Sequence, residues 1–222
     1  MTKTGTSQHE PASEPATLYL IRHGATEANE QRPYILQGRG LDGPLSETGR
    51  AQAHAVAEYL KTFRLDAVYC STLRRARETA SLIAEHFQLE PQTVPELGEV
   101  DVGRWEGMSW DRISSEFPAE YEAFLADCMN TPYMEGESYG DVLRRAMPAL
   151  ENILDRHAGQ RVAVVAHNVV NRVCLGSLLD LSIEKTRTLK QSNCCVNMIQ
   201  REATGQTMLV TLNSRFHLDH LG

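Results

Sequence analysis

The amino-acid sequence predicts an α/β protein, a three-layer sandwich with a largely parallel central sheet and a helical cap insertion. Short apolar runs alternate with amphipathic stretches of helical length, the order typical of parallel sheets covered by helices on both faces. The 222 residues suit one domain with room for a small cap. Hydrophobic residues make up 41% of the chain and charged residues 23%, so a core can form without disulfides or metals.

Strands and helices are predicted from apolar periodicity, and turn residues separate them. In chain order we expect a strand at 17–21, a helix at 46–63, a strand at 66–70, a helix at 73–87, a strand at 161–166, a helix at 169–179 and strands at 195–200 and 207–212. The last two strands are joined through Thr204 and Gly205, a pair that suits a turn.

The two ends of the domain and its middle have different compositions. Residues 1–16 are polar and rich in Ser, Thr and Pro, and we expect a disordered tail there, followed by a single domain at 17–222. The middle shows no clear strand. Helices are expected at 111–127 and 137–157, within a cap region of about 108–158 over the sheet edge.

Charge and cysteine usage exclude several classes of function. The net charge of −7 repels polyanions, so nucleic acid is not an expected partner, and an anionic substrate needs a local basic pocket. No apolar stretch is long enough for a membrane span or a secretion signal, which predicts a cytoplasmic protein without a membrane partner. The five cysteines form no C-x-x-C pair, so we expect reduced thiols and no bound metal. The oligomeric state is left open.

Reactive residues follow three of the predicted strands, which is where sites gather in open α/β sheets. The first strand leads into Arg22-His23-Gly24, the second into a segment that contains Arg74 and Arg75, and the third into His167-Asn168. Arginine matches phosphate oxygens with a planar fork of donors, and a neutral imidazole can attack phosphorus. Each residue also has a purely structural interpretation, but the three strand ends together favour a phosphoryl-transfer site.

The motifs around these residues resemble those of the histidine phosphatase superfamily, also called the phosphoglycerate mutase-like family. The resemblance runs from about 17 to 211 and preserves the order of the motifs. The matching segments are L-I-R-H-G-A-T-E-A-N (20–29), G-R-G-L-D-G-P-L-S-E-T-G-R-A-Q-A (38–53), S-T-L-R-R-A-R-E-T-A (71–80), L-G-E-V-D-V-G-R-W-E-G (97–107), G-E-S-Y-G-D-V-L-R-R (136–145) and V-A-V-V-A-H (162–167).

This resemblance implies a role for each matched residue. It implies that His23 is the nucleophile, that Glu99 donates a proton to the leaving oxygen, and that His167 binds the phosphoryl oxygens. The remaining residues implied to hold substrate are Arg22, Asn29, Gln37, Gly38, Arg75 and Asn168, with Ser71 as an orienting residue. Arg75 is preferred over Arg74 because the arginine of the family lies directly before Ala.

Two departures from the family pattern bear on the reaction. Asn168 stands where the family commonly has glycine, which alters the expected pocket shape. Glu99 leads into V-D-V-G-R-W-E-G, a form similar to the phosphatase branch and unlike that of the mutases. We therefore expect hydrolysis of a small phosphorylated metabolite through a phosphohistidine, without cofactor or metal. A phosphoglycerate mutase and a non-catalytic phosphate-binding protein are the alternatives.

Overall fold

The computed structural model describes residues 14–221 and contains six strands and eight α-helices in that range. The strands are β1 (Ala16–Arg22), β2 (Ala67–Cys70), β3 (Gln92–Thr93), β4 (Arg161–Ala166), β5 (Val196–Arg201) and β6 (Thr207–Ser214). The helices are α1 (Glu27–Glu30), α2 (Glu47–Leu60), α3 (Arg74–Glu85), α4 (Trp110–Glu116), α5 (Pro118–Ala126), α6 (Tyr139–Arg156), α7 (Asn168–Leu178) and α8 (Ile183–Thr188). Short 3-10 turns occupy Pro95–Leu97, Gly103–Trp105 and Phe216–Leu221.

All six strands form one mixed sheet in the order β3-β2-β4-β1-β5-β6. The pairs β2–β3, β2–β4 and β1–β4 are parallel, whereas β1–β5 and β5–β6 are antiparallel. The predicted fold class is confirmed. Because β2, β4 and β1 are parallel neighbours, their carboxyl ends lie side by side at one edge of the sheet.

Alternation along β1 divides the core between the two faces of the sheet. Leu18 and Leu20 point into a hydrophobic cluster that includes residues of α6 and α7, and this cluster continues into the side chains of α4 and α5. Tyr19 and Ile21 point into a second cluster, with α2 and α3. Both faces are thus covered, which is why the parallel strands are almost wholly apolar.

The middle of the chain differs from its prediction in two ways. The helix expected at 111–127 is two helices, because Pro118 lacks the N–H that a continuous helix needs and instead starts α5. The helix expected at 137–157 forms as α6, capped by the Ser138 side chain. Val142 and Leu150 of α6 join the cluster beneath β1, so this half of the expected cap is part of a helical layer on the sheet.

The expected disordered tail is too long by at least one residue. Ala16 begins β1, pairs with Arg201 and is buried, because it extends the apolar run of the strand by one position. Residues 1–13 lie outside the described range. None of the described helices is both long enough and apolar enough to cross a bilayer.

Candidate active site

The carboxyl ends of β1, β2 and β4 bring the predicted site residues together. The sheet pairing extends past β1 and β2, since the His23 N–H donates to the Ala166 carbonyl and the Ser71 N–H to the Val165 carbonyl, both at 3.1 Å. Gly24 turns the chain against the start of α2, where an added Cβ would lie 2.4 Å from the Gly49 carbonyl oxygen. A residue with a side chain would therefore displace the turn that carries His23.

His23 is buried and has its reactive nitrogen set by two hydrogen bonds. Its Nδ1 lies 2.7 Å from the Gly24 carbonyl, which can only accept, so Nδ1 carries the proton. Its Nε2 lies 3.3 Å from Nε of Arg75, which can only donate, so Nε2 carries a lone pair. Burial lowers the pKa of His23 well below its usual value, and the charges of Arg75 and Arg22 lower it further. The imidazole is therefore neutral and nucleophilic at Nε2.

Arg75 is fully buried at the start of α3, and a loop that precedes α2 holds its guanidinium. Its two terminal nitrogens donate to the carbonyls of Gly38 and Leu41, each at 3.0 Å. That loop is held in turn by Glu106, whose carboxylate accepts the N–H groups of Gly38 at 2.6 Å and Gly40 at 2.9 Å. Gly38 thus supports Arg75 through its carbonyl and gives its N–H to Glu106.

His167 follows β4 and is also buried, with its ring centroid 5.1 Å from that of His23. Its Nε2 lies 2.6 Å from Oγ of Ser71, which accepts the Leu73 N–H and can donate its own hydrogen to the ring. The proton of His167 then resides on Nδ1, a buried atom without a partner among the described residues. Burial lowers the pKa of His167 well below its usual value, and the charge of Arg75 adds to this effect.

Glu99 is buried beside the start of α7, where its carboxylate accepts the Val169 N–H at 3.3 Å and the N–H of Val100 at 3.0 Å. Arg145 of α6 fixes the backbone of this segment, with a hydrogen bond of 3.2 Å to the Glu99 carbonyl among others. Glu137 pairs with Arg145 at 2.8 Å and so orients it. Glu137 and Arg145 both lie in the matched segment 136–145, for which the sequence analysis gives no role.

Arg22 ends β1, and its Nη1 donates to the Gln191 carbonyl at 2.7 Å. The Gln191 side chain is held among buried amides, since its oxygen accepts from Asn197 at 2.9 Å and from Asn171 at 3.2 Å. Nε of Arg22 is buried without a partner among the described residues. This nitrogen and Nδ1 of His167 are two buried N–H donors that an anion could satisfy.

Three further amide side chains are linked by hydrogen bonds beside the backbone of His23. Asn193 donates to the His23 carbonyl at 3.0 Å and to the Asn29 oxygen at 3.1 Å. Asn29 donates to the Gln37 oxygen at 3.3 Å, and Gln37 donates to the Leu41 carbonyl at 3.1 Å. These contacts connect two predicted substrate residues, Asn29 and Gln37, to the turn that holds His23.

A cavity of about 450 Å³ opens above this cluster. The predicted residues that line it are Arg22, His23, Asn29, Gln37, Glu99 and Asn168, whereas Gly38, Arg75 and His167 are buried and are not among its lining residues. Further lining residues that sequence reasoning missed are Tyr34, Trp110, Tyr133, Tyr139, Arg172, Lys190, Gln191, Ser192 and Asn193. Arg172 had a detectable signal, because it follows Asn168 by four residues and so shares its helix face.

A family model described as histidine phosphatase superfamily (branch 1) matches residues 18–214. The chain belongs to the histidine phosphatase superfamily. It is a histidine-type phosphatase, a phosphoric monoester hydrolase.

Relatives of this histidine phosphatase carry phosphatase and mutase names. Phosphoserine phosphatase 1 of Hydrogenobacter thermophilus is 32% identical over 201 residues, which cover 90% of this chain and 93% of that protein. The metal-independent phosphoserine phosphatase of Arabidopsis thaliana is 39% identical over 163 residues, covering 72% of this chain and 67% of the relative. The probable phosphoglycerate mutase GpmB of Photorhabdus laumondii is 32% identical over 182 residues, with coverages of 82% and 83%.

The fold of this histidine phosphatase also matches solved structures. The structure of Bacillus stearothermophilus YhfR superposes with a TM-score of 0.83 at 30% identity, and the match covers 92% of this chain and 100% of that one. The similarity therefore extends over the sheet, both helical layers and the strand ends that carry the site.

Proposed function

We propose that this histidine phosphatase hydrolyses a small phosphomonoester in two steps, through a phosphohistidine on Nε2 of His23. The observation that carries the proposal is the hydrogen bonding of the His23 ring, which leaves a lone pair on Nε2 beside the buried donors of Arg22 and His167. A neutral imidazole flanked by unpartnered N–H groups is suited to attack phosphorus while its oxygens are held.

In the first step, the Nε2 lone pair forms a bond to phosphorus and the bond between phosphorus and the ester oxygen breaks. Glu99 gives its proton to that oxygen, and the alcohol leaves. The Gly24 carbonyl, which accepts from Nδ1, stabilises the positive charge that the ring gains. In the free site, Nε–H of Arg75 donates to Nε2 of His23. For this step that N–H must turn away from Nε2 and towards the phosphoryl oxygens.

In the second step, water attacks phosphorus and the bond between phosphorus and Nε2 breaks. The Glu99 carboxylate accepts the proton of the water, so the acid is restored and inorganic phosphate is released. His23 returns to its neutral state with the same tautomer. Arg22, Arg75 and His167 stabilise the charge on the phosphoryl oxygens in both steps.

The substrate is proposed to be a phosphorylated metabolite small enough for the cavity of about 450 Å³. Two relatives are named phosphoserine phosphatases, which makes phosphoserine the first compound to test. A mutase is less favoured, because V-D-V-G-R-W-E-G after Glu99 resembles the phosphatase branch. A protein that only bound phosphate would need neither a carboxyl group such as Glu99 in the cavity nor a His23 with its lone pair on Nε2.

Metal independence and a cytoplasmic location remain part of the proposal. Arg22, Arg75 and the two histidines supply the positive charge and donors that a metal ion would otherwise provide. Among residues 14–221 no group of three or more His, Cys, Asp or Glu side chains is arranged to hold a metal ion, and one relative is named metal-independent. All five cysteines are buried free thiols, which suits a reducing compartment.

The test is to trap the intermediate with a labelled phosphomonoester. Wild-type protein should carry acid-labile, base-stable label, and His23→Ala should carry none. The variant should also lose on the order of 10⁴-fold or more in turnover, because the covalent route is removed. His54→Ala, at an exposed position of α2, is the matched control and should keep both label and turnover.

Three results would contradict the proposal in different ways. Near-wild-type turnover in His23→Ala would remove the covalent mechanism. Transfer of the label to a second hydroxyl only when bisphosphoglycerate is added would indicate a mutase. Phosphate binding without release from any ester would indicate a binding protein.

A further inference from the structure

Arg172 lines the cavity from α7, outside the group of residues that surround His23. It follows Asn168 by four residues, so both side chains lie on the same helix face, about 6 Å apart along the axis. Asn168 and Arg172 both line the cavity. Arg172 is therefore about one helical turn beyond Asn168 and Val169, the residues at the start of α7 that lie beside Glu99.

One hydrogen bond orients the Arg172 guanidinium and leaves the rest of its donors free. Nε donates to the Leu189 carbonyl at 2.8 Å, and the two terminal nitrogens have no hydrogen-bond or ion-pair partner among the residues whose placement is described. The side chain is half-buried. A planar fork held at one nitrogen and open at the other two is suited to the two oxygens of a carboxylate.

The charges that line the cavity do not balance. Its described lining contains the cations Arg22, Arg172 and Lys190 but a single carboxylate, that of Glu99. Glu99 is already engaged by the N–H groups of Val169 and Val100. The excess of positive charge is local, because the whole chain has a net charge of −7.

The phosphoryl group alone does not account for this excess. Arg22, Arg75 and His167 already surround His23 and supply donors for the phosphoryl oxygens. Arg172, one turn into α7, and the exposed Lys190 make no hydrogen bond to any of these residues and add further positive charge to the lining. A half-buried arginine without a counter-charge is costly, and an anionic group of the ligand would remove that cost.

We propose that Arg172, aided by Lys190, binds a carboxylate of the substrate, so that the enzyme acts on phosphomonoesters of small carboxylic acids. This inference rests on the proposed function, since it assigns a substrate class to the same cavity. The phosphoryl group occupies the strand ends, and the carboxylate lies against the fork of Arg172. Arg172 is then a specificity-determining residue.

The test uses two pairs of esters that differ in the carboxylate. Phosphoethanolamine is phosphoserine without its carboxylate, and glycerol 1-phosphate has a hydroxymethyl group where 3-phosphoglycerate has the carboxylate. In wild type, kcat/KM should favour the carboxylated member of at least one pair by about 10- to 100-fold, the effect of a hydrogen-bonded charge pair. In Arg172→Gln this ratio should fall close to one, mainly through a higher KM for the carboxylated ester.

Two further variants separate charge recognition from general effects. Arg172→Lys keeps the charge but not the fork, so its ratio should be intermediate. Lys185→Gln removes one positive charge from an exposed position on α8, outside the cavity lining, and should keep the wild-type ratio. An unchanged ratio in Arg172→Gln would overturn the proposal. Equal losses for both members of a pair, with a lowered Tm, would also overturn it.

Binding measurements separate this inference from the proposed function. Calorimetry gives the Kd of both members of each pair for wild type and Arg172→Gln, whether or not hydrolysis occurs. A preference for phosphoserine that disappears in the variant supports Arg172 even if no phosphate is released, in which case only the proposed hydrolysis fails. Equal Kd values in wild type for both members of both pairs would refute the carboxylate site.

Discussion

The floor and the mouth of the cavity are built differently. The floor consists of His23, which lines the cavity, and of Arg75 and His167, which lie against His23. These three side chains are at most 2% exposed, and backbone carbonyls or a serine hydroxyl fix each ring or guanidinium. At the mouth, Tyr34 is 39% exposed and Arg172 is held by one hydrogen bond. The floor is set by the sheet, whereas the mouth has room to adjust to a ligand.

Under the proposed function, this difference separates catalysis from substrate selection. His23 and His167 come directly after the neighbouring strands β1 and β4, and Arg75 lies in the first turn of α3, the helix that follows β2. Regular backbone hydrogen bonds therefore set the positions of these side chains before any ligand arrives. Much of the mouth comes from the stretch 190–193 between α8 and β5, where the chain has no regular structure. A change at the floor should therefore act on the rate for every ester, and a change at the mouth on the choice among esters.

Replacement of Glu99 by Gln should change turnover more than the other variants proposed below. The size of the change for different esters distinguishes a proton donor from a residue that only supports the structure of the floor. Gln cannot donate the proton, so turnover of alkyl phosphates should fall by roughly 10²- to 10⁴-fold. Nitrophenyl phosphate needs little protonation of its leaving oxygen and should lose less. Steady-state rates for the two esters, measured side by side, check the expectation.

The alternative role for Glu99 is to cap the start of α7, through the Val169 N–H that its carboxylate accepts. Gln retains one acceptor oxygen, so Tm should change little under the proton-donor role. Equal losses for both esters together with a clearly lower Tm would mean that Glu99 is structural.

The buried histidines of the floor should make stability depend on pH. Burial, with the arginine charges, holds the pKa of both His23 and His167 below the usual 6.5. Below pH 6.5 the unfolded chain therefore binds protons that the folded chain does not, and stability falls as pH falls. Each such histidine contributes about 1.4 kcal/mol per pH unit to this loss.

Chemical denaturation at pH 7.5, 6.5 and 5.5 measures this dependence. His23→Asn should reduce the slope below pH 6.5 by about 1.4 kcal/mol per pH unit, because one of the two proton-uptake sites is gone. His54→Asn, on the exposed side of α2, is the control and should keep the wild-type slope. Identical slopes in His23→Asn and wild type would show that His23 is already charged in the folded state.

The smallest of these effects concerns the support of Arg75. Glu106→Gln leaves one acceptor for the N–H groups of Gly38 and Gly40 and places an amide against the other. The loop that holds Arg75 should loosen, and kcat/KM should fall about tenfold for carboxylated and uncarboxylated esters alike, as expected for one lost charged hydrogen bond. Glu116→Gln, at a surface ion pair with Arg112, is the control.

The loss in Glu106→Gln should appear in kcat, since Arg75 acts on the charge that develops at phosphorus. A fall that depends on the carboxylate of the ester would place Glu106 with the mouth and contradict the division into two regions. An unchanged kcat/KM would show that the loop needs no carboxylate to hold Arg75.

The floor could be predicted from the sequence because each of its residues lies in a short motif at a strand end. His23, Arg75 and His167 are found this way, and parallel neighbouring strands bring them together. Arg145 could not be assigned, because it acts by holding the backbone of a segment more than forty residues earlier in the chain. The same limit applies to Gln191, whose partner Arg22 is distant in sequence.

Most strands and the long helices could also be predicted from the sequence. Periodicity identified β1, β2, β4, β5 and β6 and the long helices, because each is a local pattern. Several differences have local causes: Pro118 divides the helix expected at 111–127, and β3 is only the pair Gln92–Thr93, too short to show alternation. The helices α1 and α8, of four and six residues, are likewise too short to show a helical period. The sheet order depends on long-range pairing, which no single segment encodes.

In the proposed mechanism, the hydrogen bond between Nδ1 of His23 and the Gly24 carbonyl also decides which ring nitrogen takes the phosphoryl group. A histidine has two nitrogens, and a free imidazole can be phosphorylated at either one. In this chain the acceptor that reserves Nδ1 is a main-chain oxygen of the very next residue, so truncating a side chain cannot remove it. In that mechanism the choice of a single phosphohistidine isomer is made by the backbone and follows from the turn itself.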